Sequence, residues 1–230
     1  MAITNYSELQ AAIENTTSGW MFQEALGGRT TDFIAMCEAE MQSILAQSPV
    51  RPMQKRATAT IDAEYVAIPA DYLLADAFEL DLSPEWRITY VEPEDMARLR
   101  SSEQRRRDEL NELYGSTPAP PENFTVIGSE FRFFPTPQAS YTGELTYFAR
   151  IPALSVSNTT NWLLTNHPTA YLFGSLVAAA TFTRDSKLLG TMSELFASSM
   201  AGIQSAYPKP SSKAQLRNDD MPPLARSYYL

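Results

Sequence analysis

The 230-residue chain has one cysteine and one histidine, and these two scarcities exclude more chemistry than any motif it contains. With Cys37 alone no internal disulfide framework exists, and no Cys/His set has zinc spacing. A single thiol fits a reducing compartment. His167 is the sole imidazole, so a Ser-His-Asp or Cys-His site would have to be built on it. It precedes Pro168 at an expected helix start, where the simpler reading is that its imidazole caps the helix. No Gly-rich phosphate loop follows a strand pattern, which leaves nucleotide binding without support. Positive charge is also short: 18 Lys and Arg face 27 Asp and Glu, for a net charge of −9. That balance opposes bulk attraction to nucleic acid or to an anionic membrane surface. Long apolar runs are missing too, since Ala170 to Phe182 is too short to cross a bilayer and reads as a buried helix. The first residues carry no basic region followed by an apolar stretch, so no secretory signal is expected.

An apolar fraction of 44% with 20% charged residues is the composition of a folded chain rather than a disordered one. Asn5 followed by Glu8 has the spacing of a capping box and opens a helix carrying Leu9 and Ile13 on one face. Gly19 and Gly27-Gly28 punctuate the next stretch. Thr30 or Thr31 then caps a second helix, with Asp32 in its first turn and Phe33, Cys37, Met41, Ile44 and Leu45 at helical spacing up to Ser48-Pro49. From Ala57 the period becomes two. Thr58 and Thr60, then Tyr65, Val66 and Ile68, read as a β-hairpin turning at Asp62-Ala63-Glu64. Ala77 to Leu82 and Trp86 to Val91 are two further strands. Pro93 opens a mostly solvated helix that runs to Tyr114, and the Pro-rich stretch 115–121 follows as a linker or surface loop. Phe124–Ile127 and Glu130–Phe134 flank Gly128-Ser129 as a tight hairpin, and Gly143 to Arg150 adds a third strand. The C-terminal third predicts an αα-hairpin broken at Thr183-Arg184-Asp185.

These signals divide the chain into an N-terminal part of a helical bundle (1–56), a β-rich insertion containing a helix near 93–114 (57–154), a C-terminal helical hairpin of the bundle (155–207) and an extended C-terminal arm (208–230). The fold class expected is α+β, mainly an α-helical bundle with inserted antiparallel β-hairpins. The arm alternates prolines with Lys209, Lys213, Arg217 and Arg226 and ends in Tyr228, Tyr229 and Leu230. Such a segment cannot build its own core, and its terminal apolar side chains favour docking on a partner over mere solvation. Arg105, Arg106 and Arg107 form the one basic run. Glu103 with Arg107 and Arg105 with Glu109 sit four apart, so a salt-bridged helix surface is the simpler reading and an acidic protein neighbour the sharper one. Among the carboxylates, Glu38 and Glu40 are two apart on a helix and share no face, while Glu92, Glu94 and Asp95 suit a helix N-terminus; general acid-base work at either place is the weaker reading.

The segments taken in order resemble a known family. Ile3-Thr4-Asn5-Tyr6-Ser7-Glu8-Leu9, the helix Asp32-Phe33-Ile34-Ala35-Met36-Cys37-Glu38-Ala39-Glu40 and the stretch from Arg56-Ala57-Thr58-Ala59-Thr60 through Ile68-Pro69-Ala70-Asp71-Tyr72 are similar to the portal adaptor proteins, or head-to-tail connectors, of tailed bacteriophages. The agreement continues through Leu145-Thr146-Tyr147-Phe148-Ala149-Arg150-Ile151-Pro152-Ala153-Leu154, Asn161-Trp162-Leu163-Leu164 and Tyr171-Leu172-Phe173-Gly174. No single motif is diagnostic; the ordered set, spanning most of residues 3 to 207, carries the resemblance.

That resemblance implies a structural virion protein, not an enzyme, with no cofactor and no metal. It implies a homo-oligomeric ring, a dodecamer, below the portal protein, joining it to a tail or nozzle protein and extending the DNA channel. By position and composition rather than by the resemblance, the arm residues Lys209, Lys213, Arg217, Arg226, Tyr228, Tyr229 and Leu230 would dock on the portal, and Arg105 to Arg107 would face a neighbouring subunit or the tail. Twelve copies at −9 would carry about −108, so DNA would pass the lumen without specific binding. Two other classes stay open at this stage: a cell-wall glycosidase using acidic residues, and a small soluble host-interaction module.

Overall fold

The computed structural model describes residues 3–20, 26–82, 86–102 and 120–208. Helix α1 (Tyr6–Thr17) begins where Asn5 Oδ1 accepts the Glu8 amide at 3.0 Å. The Glu8 carboxylate reaches one residue further back than a reciprocal box requires, taking the amide and the hydroxyl of Thr4, each at 2.7 Å. Helix α2 (Thr30–Gln47) has no side-chain cap, so neither threonine caps it. Thr30 is buried instead, and Thr31 Oγ1 accepts from the Tyr6 hydroxyl and the Gln10 amide, tying α2 to α1.

Strands β1 (Gln54–Ile61), β2 (Tyr65–Ala67), β3 (Tyr72–Leu80) and β4 (Trp86–Tyr90) precede α3, a helix described over residues 93–102. Strands β5 (Asn123–Ile127), β6 (Glu130–Phe134) and β7 (Tyr141–Ala149) follow, then helices α4 (Trp162–Asn166), α5 (Pro168–Thr183) and α6 (Ser186–Ala206). All seven strands join one sheet in the order β1-β7-β3-β4-β5-β6-β2. Its two outer strands are consecutive in sequence and separated only by residues 62–64, so the sheet wraps into a nearly closed barrel. β4 and β5 pair in parallel, an arrangement that needs a crossover between them, and α3 lies in that connection.

This architecture corrects two expectations. The fold is not a mainly α-helical bundle with hairpins inserted into it, because the strands form a continuous sheet with its own core. Phe78 meets Phe124, Phe131 and Phe133 at ring-centroid distances of 5.3, 5.6 and 5.3 Å, and Ile61, Leu80, Ile88 and Leu145 complete the cluster. The hairpin expected across residues 62–64 is also absent: β1 pairs with β7, from Gln54↔Phe148 to Ile61↔Tyr141, and β2 pairs with β6. The reason lies in the turn. The Glu64 carbonyl accepts the Phe133 amide at 2.8 Å, which steers the chain away from β1 and onto β6. The β5–β6 hairpin does form, with Gly128 at φ +61°, a conformation that glycine adopts without a Cβ clash.

Strand β7 joins the two cores. Leu145, Tyr147 and Ala149 face the barrel interior, while Phe148 on the opposite face is buried with Leu9, Ile13, Met41 and Leu164 of the helical layer. The alternation along a strand places neighbours on opposite faces, so one strand serves both. Asp71 fastens it laterally: Lys55 Nζ of β1 donates to Asp71 Oδ2 at 2.6 Å and the Tyr147 hydroxyl to Oδ1 at 2.8 Å. Burial raises the Asp71 pKa, but these hydrogen bonds and the Lys55 charge outweigh it and hold the carboxyl below its ordinary value.

The C-terminal helices form the expected pair. Arg184, at φ 57°, ends α5, and Asp185 Oδ1 accepts the amides of Lys187 and Leu188 at 3.0 and 3.1 Å to start α6. Among the described residues no helix is long and apolar enough to cross a membrane.

Candidate interaction surface

Helix α2 presents two different faces to the rest of the chain. On one of them, Glu38 Oε1 accepts the Leu154 amide at 2.8 Å and the Tyr171 hydroxyl at 3.2 Å. Gln42 Oε1, one turn on, accepts the Ile151 amide at 2.9 Å. Asn161 closes the arrangement. Its Nδ2 donates to Tyr171 Oη at 2.7 Å and to the Pro152 carbonyl at 2.9 Å, and its Oδ1 caps α4 through the Leu164 amide at 2.8 Å. The strap 150–160 leaving β7 is therefore pinned to α2, α4 and α5 by side chains, since it has no ladder of its own. Burial pushes the Glu38 carboxyl above its ordinary range against the opposing pull of the Leu154 and Tyr171 hydrogen bonds. Beside this hub a cleft of about 340 Å³ runs between Glu38, Gln42, Arg150 and Ile151.

The opposite side of α2 borders an apolar groove of about 640 Å³, walled by Met36, Ala39, Val177, Ala178, Phe196 and Ala197 from α2, α5 and α6. Gly174, among its lining residues, lets α2 and α6 pack close to α5, because a Cβ there would collide with Cys37 Sγ and the Phe196 ring. Cys37 itself is buried, and burial pushes its thiol up to about 12, so it packs rather than reacts. Met36 on the groove leaves 58% of its surface exposed, and Phe182 and Leu195 of α5 and α6 leave 43 and 40%. An exposed Met36 beside an apolar groove makes this face a candidate interaction surface.

A third feature clasps helix α3 to the barrel. Both oxygens of Glu64 receive Arg100, at 2.6 and 3.2 Å, and Oε1 also takes Arg132 Nε at 2.8 Å. Arg100 of the helix expected to be mostly solvated is thus anchored by a forked pair.

The residues singled out from sequence fall unevenly on this structure. Lys209, Lys213, Arg217, Arg226, Tyr228, Tyr229 and Leu230, and Arg105, Arg106 and Arg107, lie outside the described residues. Glu38 and Glu40 part company as their spacing required, the first into the hub and the second onto the groove. Glu92, Glu94 and Asp95 are exposed around the start of α3. His167 does occupy the N-cap position of α5, but its imidazole makes no capping hydrogen bond. Its ring packs edge-on against Tyr207 at 5.6 Å, and burial lowers its pKa. Among the described residues no group of three or more His, Cys, Asp or Glu is arranged to hold a metal ion. The Glu64 clasp and the groove were missed, because both join segments far apart in sequence and leave no local spacing.

A comparison with curated proteins finds no match. A comparison with protein families matches residues 4–224, nearly the whole length, to one described as SU10 adaptor protein. The chain belongs to the SU10 adaptor protein family, in agreement with the phage-adaptor resemblance of its ordered segments.

Proposed function

We propose that this chain is a structural, non-catalytic component of a phage virion that forms a ring beneath the portal, joins the capsid vertex to the tail and extends the DNA channel. The family membership over residues 4–224 carries this reading. In it, twelve copies close the ring after assembly in the host cytoplasm. The arm 208–230, with Lys209, Lys213, Arg217, Arg226, Tyr228, Tyr229 and Leu230, docks on the portal, while Arg105 to Arg107 face a neighbouring subunit or the tail protein. The fold supports it in two ways. The helical layer offers an apolar face for a neighbour, and the net charge of −9 gives a lumen that repels phosphate.

The test mixes the purified chain with portal rings of the same phage and measures bound stoichiometry by cosedimentation, alongside a version ending at Tyr207. Near one copy per portal subunit, lost on truncation, is the expected result. Undiminished binding of the truncated chain would remove the arm from the contact and leave the adaptor role standing; no binding of either version would overturn that role.

A further inference from the structure

The strap that Glu38 and Gln42 hold ends in a turn whose tip is apolar. Within it the Ser155 amide donates to the Asn158 carbonyl at 2.9 Å, and the Asn158 amide to Ser155 Oγ at 3.0 Å. Asn158 Nδ2 reaches back to the Ala153 carbonyl at 2.7 Å. The turn is fastened on both sides, by Glu38 to the Leu154 amide and by the Tyr6 amide to the Thr159 carbonyl at 2.8 Å. At its tip, between Ser155 and Ser157, Val156 is 90% exposed. A single exposed aliphatic residue is ordinary on a surface. One held out by a hydrogen-bonded turn is different, because its backbone is already ordered and its β-branched side chain has few rotamers left to lose on binding.

We propose that Val156 of one protomer seats in the α2–α5–α6 groove of the next copy around the ring, an inference that rests on the ring reading above. Three arguments support this seating. First, a closed ring is built from heterologous contacts, in which two unlike surfaces of the same chain meet. At 3.6 residues per turn, the Glu38 and Gln42 positions that hold the strap lie about half a turn from Met36, Glu40 and Ile44, which border the groove. Knob and groove thus belong to opposite sides of α2. Second, the groove is mostly apolar, and Ala39, Val177, Ala178 and Ala197 leave room for an aliphatic knob between the larger Met36, Ile44 and Phe196. Third, the rims are complementary in charge. Arg150, at the root of the strap, is exposed and without an ion pair among the described residues. Glu40 on the groove and Glu194 next to its lining residue Ser193 are exposed and unpaired in the same sense.

Cysteines placed at both ends, Val156→Cys with Ala197→Cys, test the contact in rings assembled on portal and treated with a short bismaleimide. Cys37 is buried and stays out of the reaction. The double variant is expected to give a ladder of covalent oligomers beyond the dimer on a denaturing gel, and each single variant none beyond the dimer. In parallel, Val156→Asp should melt at the wild-type temperature, yet require at least tenfold more protein to fill the portal. Rings that form normally with no ladder, or with Val156→Asp filling the portal as the wild type does, would overturn this contact and leave the ring reading intact. Failure of the wild-type chain to form rings on portal would overturn both.

Discussion

A carboxylate taken out of water raises the free energy of the fold unless its oxygens are occupied, and Glu38 shows how far hydrogen bonding alone can compensate. Two donors, the Leu154 amide and the Tyr171 hydroxyl, share its Oε1, and no cation pairs with it among the described residues. Its pKa is accordingly higher in the folded chain than in the unfolded one, with burial the largest cause. Below the unfolded value both states hold the proton and Glu38 adds no pH dependence. As pH rises through the unfolded value and then the folded one, the unfolded chain releases its proton first, so stability falls, and the penalty is constant above the folded value. Glu38→Gln keeps an acceptor for both donors and removes the titration. The wild type should therefore lose stability relative to Glu38→Gln as pH rises from the ordinary carboxylate range, read from denaturant unfolding at a series of pH values. A difference that is flat, or that favours the wild type as pH rises, would contradict the assignment of Glu38 as a half-buried acid without a cation.

Elements in this chain were legible one by one, but their partners were not. The alternation of Thr58 with Thr60 and the β-prone pair Tyr65-Val66 mark strands correctly, because both suit a pleated chain. It says nothing about which strand lies alongside, and proximity in sequence favours a hairpin that does not exist. What decides the pairing is carried by Glu64, whose carbonyl holds β6 and whose carboxylate gathers Arg100 and Arg132 from 36 and 68 residues away. The helices were easier, since Phe33, Cys37, Met41 and Leu45 bury one face by spacing alone. His167 sits at the helix start that Pro168 marks, but its ring packs on Tyr207 instead of capping the helix. The clasp makes a prediction at this scale. Glu64→Ala leaves two guanidinium groups without their shared acceptor, one of them on Arg132, whose side chain is only 20% exposed. A loss of about 1–3 kcal/mol in unfolding free energy is expected, with hydrogen exchange accelerating first in β2, which has only three residues to pair with β6. Unchanged stability with unchanged protection of β2 would show that the strand pairing stands without the clasp.

At the scale of the whole molecule, the charge and the surface pull in opposite directions. Each copy carries a net −9, so bringing copies together costs electrostatic free energy that extends over a Debye length. Against this stand the apolar groove, the exposed Met36, Phe182 and Leu195, and the Val156 tip. Burial of apolar surface depends little on moderate salt, whereas repulsion between like-charged copies is screened by it. An exposed pair such as Arg150 with Glu40 contributes at most about 1 kcal/mol and weakens in the same conditions, which is too little to reverse the trend set by nine net charges per copy. Self-association of the chain in the proposed ring should therefore strengthen as salt rises from about 50 to about 500 mM, over which the Debye length contracts several-fold. Sedimentation velocity across that range reads the change directly. An assembly that dissociates as salt rises would mean that ion pairs, not the apolar helical face, hold the copies together, and the search for the interface would move from the groove to the charged surfaces of the barrel.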